Sequence, residues 1–346
     1  MFPRNVKVIT ADGSPMEMHR YDATGRDLHI DGPLSEILVN YRPEGFIADR
    51  IFPLVTVGKQ SDLFYQFQQS DLWRVPDTTR APMTAAKRVN FNVASQTYYA
   101  KNYALATGIP IEDAINADQM LSLRENKGKF LVDILALDYE NRVASLVCNT
   151  SNVGTFCALA ICSGTAGSAG TWDTAGAVPI VDIDNAIQRV RDASGYLPNN
   201  IVFGWLAWQK FRRHANVRAQ LFPSAGGTTP SGGVVQPSMV SGLFDIPNVS
   251  VAGVMRNTAA EGLAQSLADI WGPHVAVFYT PPRPSREVPS FGYSFRWQAP
   301  GLPTALTAED LGYDKVLHGN LLEVGMYQDE KIVSTLLGTL VGSVSS

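Results

Sequence analysis

Leu63-Phe64-Tyr65-Gln66-Phe67 and Val89-Asn90-Phe91-Asn92-Val93-Ala94 are the two runs on which the reading of this chain turns. In the first, Leu63, Tyr65 and Phe67 are apolar where Gln66 and Gln68 are polar. In the second, Val89, Phe91 and Val93 alternate with Asn90, Asn92 and Ala94. Successive side chains of a strand point to opposite faces, so both runs predict half-buried strands. Residues 68–88 between them carry Pro76, Pro82, Asp71, Arg74, Asp77, Arg80 and Lys87, with Arg88 at the return strand. That connection is too long for a tight turn and too polar for a core. A two-stranded ribbon is at best marginal alone in water, so an extended hairpin needs a surface to lie on, and the surface can belong to another chain.

On the N-terminal side, residues 1–45 mix polar, Gly and Pro residues, with turn signals at Asp12-Gly13, Gly32-Pro33 and Arg42-Pro43. Their one apolar patch, Ile37-Leu38-Val39, follows Pro33, Ser35 and Glu36, which fit the first turn of a short helix. This is an arm that cannot fold alone. On the C-terminal side, residues 111–148 hold apolar residues at mixed spacings of three and four, from Ile111 through Leu123, Leu131, Ile134, Leu135 and Val143 to Val147. They predict one long helix, bent near Gly128, and a helix of about 30 residues would span about 45 Å. Such a rod suits an elongated or plate-like subunit.

Val153–Cys162 reads as a buried strand, and residues 163–171 as a Gly/Ala/Ser/Thr-rich loop. Asp182 then predicts an N-cap for a helix through Ile183, Ala186, Ile187 and Val190 that ends at Gly195. Pro198-Asn199-Asn200 turns into a buried strand at Ile201-Val202-Phe203-Gly204, followed by a helix from Ala207 to His214 in which Trp205, Trp208 and Phe211 read as core. After a Gly/Ser/Thr/Pro-rich loop at 223–237, strands resume at Val249-Ser250-Val251 and His274–Tyr279, and residues 287–346 read as strands. The fold class is α+β, with an α/β unit inside it.

The chemistry expected from composition is sparse. With 45% apolar residues the chain can build a sizeable core, while a net charge of −4 supplies no broad positive field for wrapping nucleic acid. Charged residues make up 17%, below the roughly 25% of an average soluble domain, which leaves less charge for a fully solvated surface. Cys148, Cys157 and Cys162 are odd in number and lack a Cys-x-x-Cys pair, which fits neither a disulfide framework nor a zinc site and makes a reducing cytoplasm the simplest home. His19, His29, His214, His274 and His318 form no metal-binding spacing, and neither a phosphate loop nor Gly-x-Ser-x-Gly occurs. No signal-peptide core or membrane-length apolar run is present. The cationic cluster of Arg189, Arg191, Lys210, Arg212, Arg213 and Arg218 lacks interleaved aromatics and reads as a solvated helix face before a nucleic-acid site. No catalytic, metal-binding or cofactor-binding residue is assigned.

Taken in order, a set of short runs resembles the major capsid proteins of tailed bacteriophages, which share the Hong Kong 97-type fold also used by encapsulin shells. The resemblance covers roughly residues 46–341. It is carried by Ile47-Ala48-Asp49-Arg50-Ile51-Phe52-Pro53, by Val57-x-Lys59-Gln60-Ser61 ahead of the hairpin, and by Tyr103-Ala104-Leu105 before the long helix. It continues through Trp172-Asp173, Pro179-Ile180-Val181-Asp182-Ile183, Gly195-x-x-Pro198-Asn199, Ile270-Trp271-Gly272, Tyr279-Thr280-Pro281-Pro282 and Pro289-Ser290-Phe291-Gly292-Tyr293-Ser294-Phe295-Arg296-Trp297.

The resemblance implies an N-terminal arm (1–50), an extended β-hairpin loop with its base (51–102), a peripheral domain with a long spine helix (103–160), an axial α/β domain (161–282) and return strands to both domains (283–346). It implies a virion protein that self-assembles into hexamers and pentamers of an icosahedral head enclosing double-stranded DNA, without sequence-specific DNA binding. It would be made and assembled in the host bacterial cytoplasm, with no membrane partner. About 45 residues precede the first family-like run, too few for a large internal scaffolding segment, so a separate scaffolding protein is expected beside a portal and a decoration protein. Tyr65, Phe67, Trp73, Arg74, Arg80, Phe91, Arg212 and Arg213 are the candidate intersubunit contacts. Lys59, Lys87 and Lys101 match no cross-linking position. An encapsulin-like compartment is the alternative, and a cytoplasmic α/β enzyme the third reading.

Overall fold

The computed structural model of the chain describes residues 8–9, 15–16, 31–41, 45–67, 73, 75, 77–89, 93–116, 120–149, 152, 158–160, 171–173, 176–222, 233–298, 306–316, 318–342 and 344. A two-residue ribbon, β1 (Val8–Ile9) with β2 (Pro15–Met16), precedes helices α1 (Gly32–Asn40) and α2 (Ala48–Ile51). Next come strands β3 (Leu54–Val57), β4 (Ser61–Phe67), β5 (Val93–Tyr99) and β6 (Lys101–Pro110), then helices α3 (Ile111–Asn116) and α4 (Met120–Val147). They lead to β7 (Ala158–Ala160), α5 (Pro179–Ser194), β8 (Asn200–Gly204), α6 (Trp205–Arg213), α7 (Ala215–Leu221) and α8 (Pro237–Phe244). The remaining strands are β9 (Asn248–Ala252), β10 (Met255–Asn257), β11 (Leu267–Asp269), β12 (Val275–Phe278), β13 (Gly292–Trp297), β14 (Leu306–Asp314), β15 (Gly319–Ile332) and β16 (Gly338–Gly342).

Two five-stranded sheets carry the molecule. In the first, β15 pairs antiparallel with β6, β13 and β14, and β13 runs parallel to β3. In the second, ordered β7-β16-β12-β8-β9, β12 is antiparallel to both β8 and β16, while β9 and β7 run parallel to their neighbours. The strand period of two divides the second sheet cleanly. Ile201, Phe203, Val275, Val277 and Val341 enter a core with α5, α6 and α8, whereas Val202, Ala276, Phe278 and Leu340 enter the core beneath α4.

The long helix is present, and Leu131, Val132, Leu135, Tyr139, Val143, Ala144 and Val147 line its buried side. Its 28 residues span about 42 Å. The helix continues through Gly128, where a Cβ would come within 3.2 Å of the Leu38 methyls, so glycine there lets α1 approach closely. That helix forms where the sequence places it. Asp31 accepts the Leu34 N–H at 3.1 Å as its N-cap, Leu34 and Leu38 are buried, and Arg124 of α4 bridges Asp31 at 3.2 Å and Asp310 at 2.8 Å.

Three local expectations fail for identifiable reasons. Asp182 is not an N-cap: α5 starts at Pro179, whose fixed φ suits a first turn, and the buried Asp182 carboxylate accepts the Trp172 indole N–H at 2.9 Å. The next helix begins at Trp205 rather than Ala207, and Trp205 is exposed while Trp208 and Phe211 are buried. Six residues turn a helix by about 120° net, so the first and last of the three cannot share one face. The described return strand of the hairpin is Val93–Tyr99, and Val89, expected to be in it, is exposed and outside a strand. Phe91 and most of the loops at 163–171 and 223–237 lie outside the described residues.

Candidate assembly surface

The hairpin is held at its base by two rings that the alternation reading passed over. Ser61↔Tyr99 through Phe67↔Val93 pair antiparallel, and among the described residues the ribbon is a two-stranded sheet of its own. Phe64 and Tyr98 are fully buried against Phe295, with ring centroids 5.3 and 4.6 Å away, beside Val55 and Val57. The Tyr98 hydroxyl donates to the Lys59 carbonyl at 3.2 Å, Tyr99 N–H donates to Asp329 Oδ2 at 2.9 Å, and Arg286 bridges Asp62 at 3.2 Å. The base therefore belongs to the intrachain core.

The opposite face is apolar and wet. Leu63, Tyr65 and Tyr99 are 45%, 50% and 56% exposed, and the predicted contact residue Tyr65 stands on this face. The Phe67 side chain, Arg74 and Phe91 lie outside the described residues. Arg80 is exposed, its Nε donating to the Thr84 carbonyl at 2.5 Å within the hairpin tip. Trp73 instead folds onto its own chain. Its indole N–H donates to the Ser194 carbonyl at 2.9 Å, and its ring meets Tyr196 edge-on. At the far end of α6, Arg212 donates to Gln209 Oε1 at 2.5 Å, Arg213 is exposed and Lys210 bridges Asp173 at 2.5 Å. The structure does not bring Arg212 and Arg213 together with the hairpin candidates into one described contact.

A buried polar knot, invisible as a motif, ties arm, spine helix and second sheet. Glu140 of α4 accepts the Ala48 N–H at 2.8 Å, the Ile47 N–H at 3.1 Å and the Trp271 indole N–H at 2.6 Å. Burial raises its carboxyl above the usual carboxylate range, against the opposing pull of these donors. Two residues on, Arg142 binds Glu330 through Nη2 at 2.9 Å and Nε at 3.3 Å, pairs with Asp138 and lies 3.7 Å above the Tyr103 ring. Burial pushes the Cys148 thiol up to about 12, and its Sγ faces the Trp271 carbonyl at 3.7 Å, so it has no thiolate character at neutral pH. Cys157 and Cys162 lie outside the described residues. Among the described residues no three His, Cys, Asp or Glu side chains gather as metal ligands, and no helix is long and apolar enough to cross a membrane.

The chain is 25% identical over 269 residues to the major capsid protein of Pseudomonas phage JBD67, covering 78% of this chain and 83% of that one. It is 21% identical over 275 residues to the major capsid protein of Burkholderia phage BcepMu, covering 77% and 83%. This chain is a homologue of phage major capsid proteins. Its fold is of the Hong Kong 97 type. A phage-related protein from Bordetella bronchiseptica superposes with a TM-score of 0.70 at 21% identity, over 92% of this chain and 98% of that one. The capsid protein of cyanophage P-SCSP1u does so with 0.54 at 14% identity, over 87% and 88%. No protein-family profile matches the chain. In this capsid-type subunit the ribbon's outward face, rather than a catalytic pocket, is the candidate site.

Proposed function

We propose that copies of this chain tile a closed icosahedral phage head as hexamers and pentamers around double-stranded DNA, with the protein acting structurally and not as an enzyme. The observation that carries the reading is the ribbon whose Leu63, Tyr65 and Tyr99 face is exposed while its Phe64 and Tyr98 face is buried. A ribbon fixed at one end and apolar on its free face fits a heterologous contact, one patch meeting a different patch on the next copy, and such contacts close into rings. Tyr65, Phe67, Trp73, Arg74, Arg80 and Phe91 of the hairpin, and Arg212 and Arg213 of the axial unit, are the contact residues of this reading. The division into arm (1–50), extended loop (51–102), peripheral domain (103–160), axial domain (161–282) and return strands (283–346) belongs to it as well.

The same reading gives the chain a separate scaffolding protein, a portal and a decoration protein as partners, and assembly in the host bacterial cytoplasm. DNA is enclosed without sequence readout, in keeping with a net charge of −4. The test is particle formation on expression with and without a scaffolding partner, followed by light scattering, electron microscopy and analysis of contents. Shells with five- and six-fold capsomers, and nuclease-protected DNA in shells from infected cells, are expected. A 37.6 kDa monomer at every concentration rejects the reading, and shells filled with a protein cargo instead of DNA replace it with an encapsulin-like compartment.

A further inference from the structure

Two arginines lie between the first sheet and the spine helix, and they are neutralised unequally. Arg142 has the carboxylates of Glu330 and Asp138 and the face of Tyr103. Arg296 has none of these. Strand alternation in β13 puts Tyr293 and Phe295 against the hairpin base and leaves Ser294 and Arg296 for the other face, where Ser294 Oγ meets the Tyr139 hydroxyl at 2.8 Å. Across the register from Arg296 stands Gln328 of β15, whose Oε1 accepts from Nη2 at 2.8 Å and from Nε at 3.3 Å. The Met326 sulfur lies 3.8 Å from Nη2, and Nη1 has no acceptor among the described residues.

Holding a guanidinium this way is costly to the fold. Burial pulls the Arg296 pKa below the usual arginine range, against the through-space pull of Asp49, Tyr139 and Glu330, and among the described residues no carboxylate reaches ion-pair distance of it. Gln328 is fully buried and its amide nitrogen has no acceptor, so the side chain is spent on Arg296 alone. Arg296 stands in the wall of a cavity of about 550 Å³ bounded by α1, α2, α4 and the first sheet, a size within the range of small-molecule sites. Leu38, Val132, Leu135, Leu306 and Met326 give that cavity aliphatic walls. Its two buried polar residues are already committed. Glu140 accepts from the Ile47, Ala48 and Trp271 N–H groups, and the Tyr139 hydroxyl lies between Ser294 Oγ and the Phe52 carbonyl, the latter at 3.3 Å. Asp49 and Arg50 are on the exposed side, with Arg50 bonded to Ser250 at 2.9 Å.

We propose that this cavity is a binding site for an aliphatic carboxylate, a medium-chain fatty acid, with its head group on Arg296 and its chain against Leu38, Val132 and Leu135. The carboxylate would take Nη1 together with the Nη2 edge that now faces only the Met326 sulfur, in the two-bond geometry that arginine offers. The body of the ligand is apolar because Glu140 and Tyr139 leave no hydrogen-bonding capacity for a peptide backbone or a sugar. An occupant touches the arm helices, the spine helix and the sheet at once, and so stabilises their junction by mass action. The inference is independent of the shell reading, since it is tested on the purified chain whether or not particles form.

The experiment titrates the chain calorimetrically with decanoate below its micelle concentration, with 1-decanol as the same chain without the charge and acetate as the head without the chain. Wild type should bind decanoate saturably at one site, decanol about tenfold or more weaker, and acetate not at all. R296M should weaken decanoate about tenfold or more, to the level of decanol. Ala136 stands in the same wall, so A136F, which fills the cavity and keeps Arg296, should abolish binding of both. Decanoate binding that is undiminished in R296M, or that decanol equals in wild type, overturns the carboxylate recognition, and absence of saturable binding to wild type overturns the site. If a variant fails to fold, photolabelling of wild type with a diazirine analogue of decanoate gives the same decision. Adducts on α1, α4 and β15 that decanoate competes away and decanol does not are expected, and adducts elsewhere overturn the proposal.

Discussion

Glu140 shows what a single buried carboxylate does for this subunit. It accepts two backbone N–H groups at the start of α2 and the Trp271 indole, so truncating it strands donors from two regions at once. E140A is expected to cost about 3 kcal/mol or more, since each stranded buried donor carries about 1–3 kcal/mol. Denaturant titration of the soluble subunit measures this, and a change within about 0.5 kcal/mol, the level of an ordinary surface site, would deny the knot any role. The pH dependence has a definite sign. Burial raises the Glu140 pKa above the unfolded value of about 4.3, so between the two values the folded chain binds more protons than the unfolded one. Its contribution is then greatest in acid and is lost as pH rises through that window. The wild-type melting temperature should fall relative to that of E140Q as pH goes from about 4 to 8. A difference that stays flat or grows with pH places the carboxyl at or below its unfolded value. None of this was legible in the sequence, where Glu140 is one acid in a polar-looking helix: its partners are 92 and 131 residues away. Asp182 misled because the helix already begins at Pro179 and its carboxylate accepts the Trp172 indole ten residues away.

At the scale of elements, the hairpin is legible as a ribbon, while the rings that anchor it are not. Leu63-Phe64-Tyr65-Gln66-Phe67 has apolar residues on both sides, and period-two counting does not say which side meets the chain's own core. Leu63 and Tyr65 face solvent because Phe295 of β13 stands beneath Phe64 and Tyr98, a long-range placement that alternation does not encode. The two faces should consequently separate in mutagenesis. L63S/Y65S removes exposed side chains and is expected to change subunit stability by no more than about 0.5 kcal/mol per site while lowering particle yield. F64A removes a buried ring and is expected to cost about 3–5 kcal/mol. Paired readings of chemical denaturation and particle yield decide the matter, and equal stability losses for the two faces would show that Leu63 and Tyr65 are core after all. The spine helix and α1 were legible because capping and apolar spacing are local, whereas the reason for Gly128 is a Leu38 side chain on another helix.

For the whole molecule, the decisive feature is that the second sheet is buried on both faces. Val202, Ala276, Phe278 and Leu340 pack into the same core as Leu131, Leu135 and Val143 of the spine helix, while their alternate neighbours fill the core beneath α5 and α6. Two cores that share a sheet in this way cannot part without exposing one of its faces. Such a subunit should be stiff, so the variation in local environment across a shell falls on the ribbon and arm. Replacing residues 70–86 by a short Gly-Ser linker removes Trp73 and the tip but leaves Phe64 and Tyr98 in place. That variant is expected to melt in one transition, with calorimetric and van't Hoff enthalpies in agreement, and to form few or no shells. Calorimetry of the soluble variant together with negative-stain microscopy checks both halves. Two resolved transitions would mean that the shared sheet does not couple the units, and wild-type shell yield would mean that assembly does not depend on the tip.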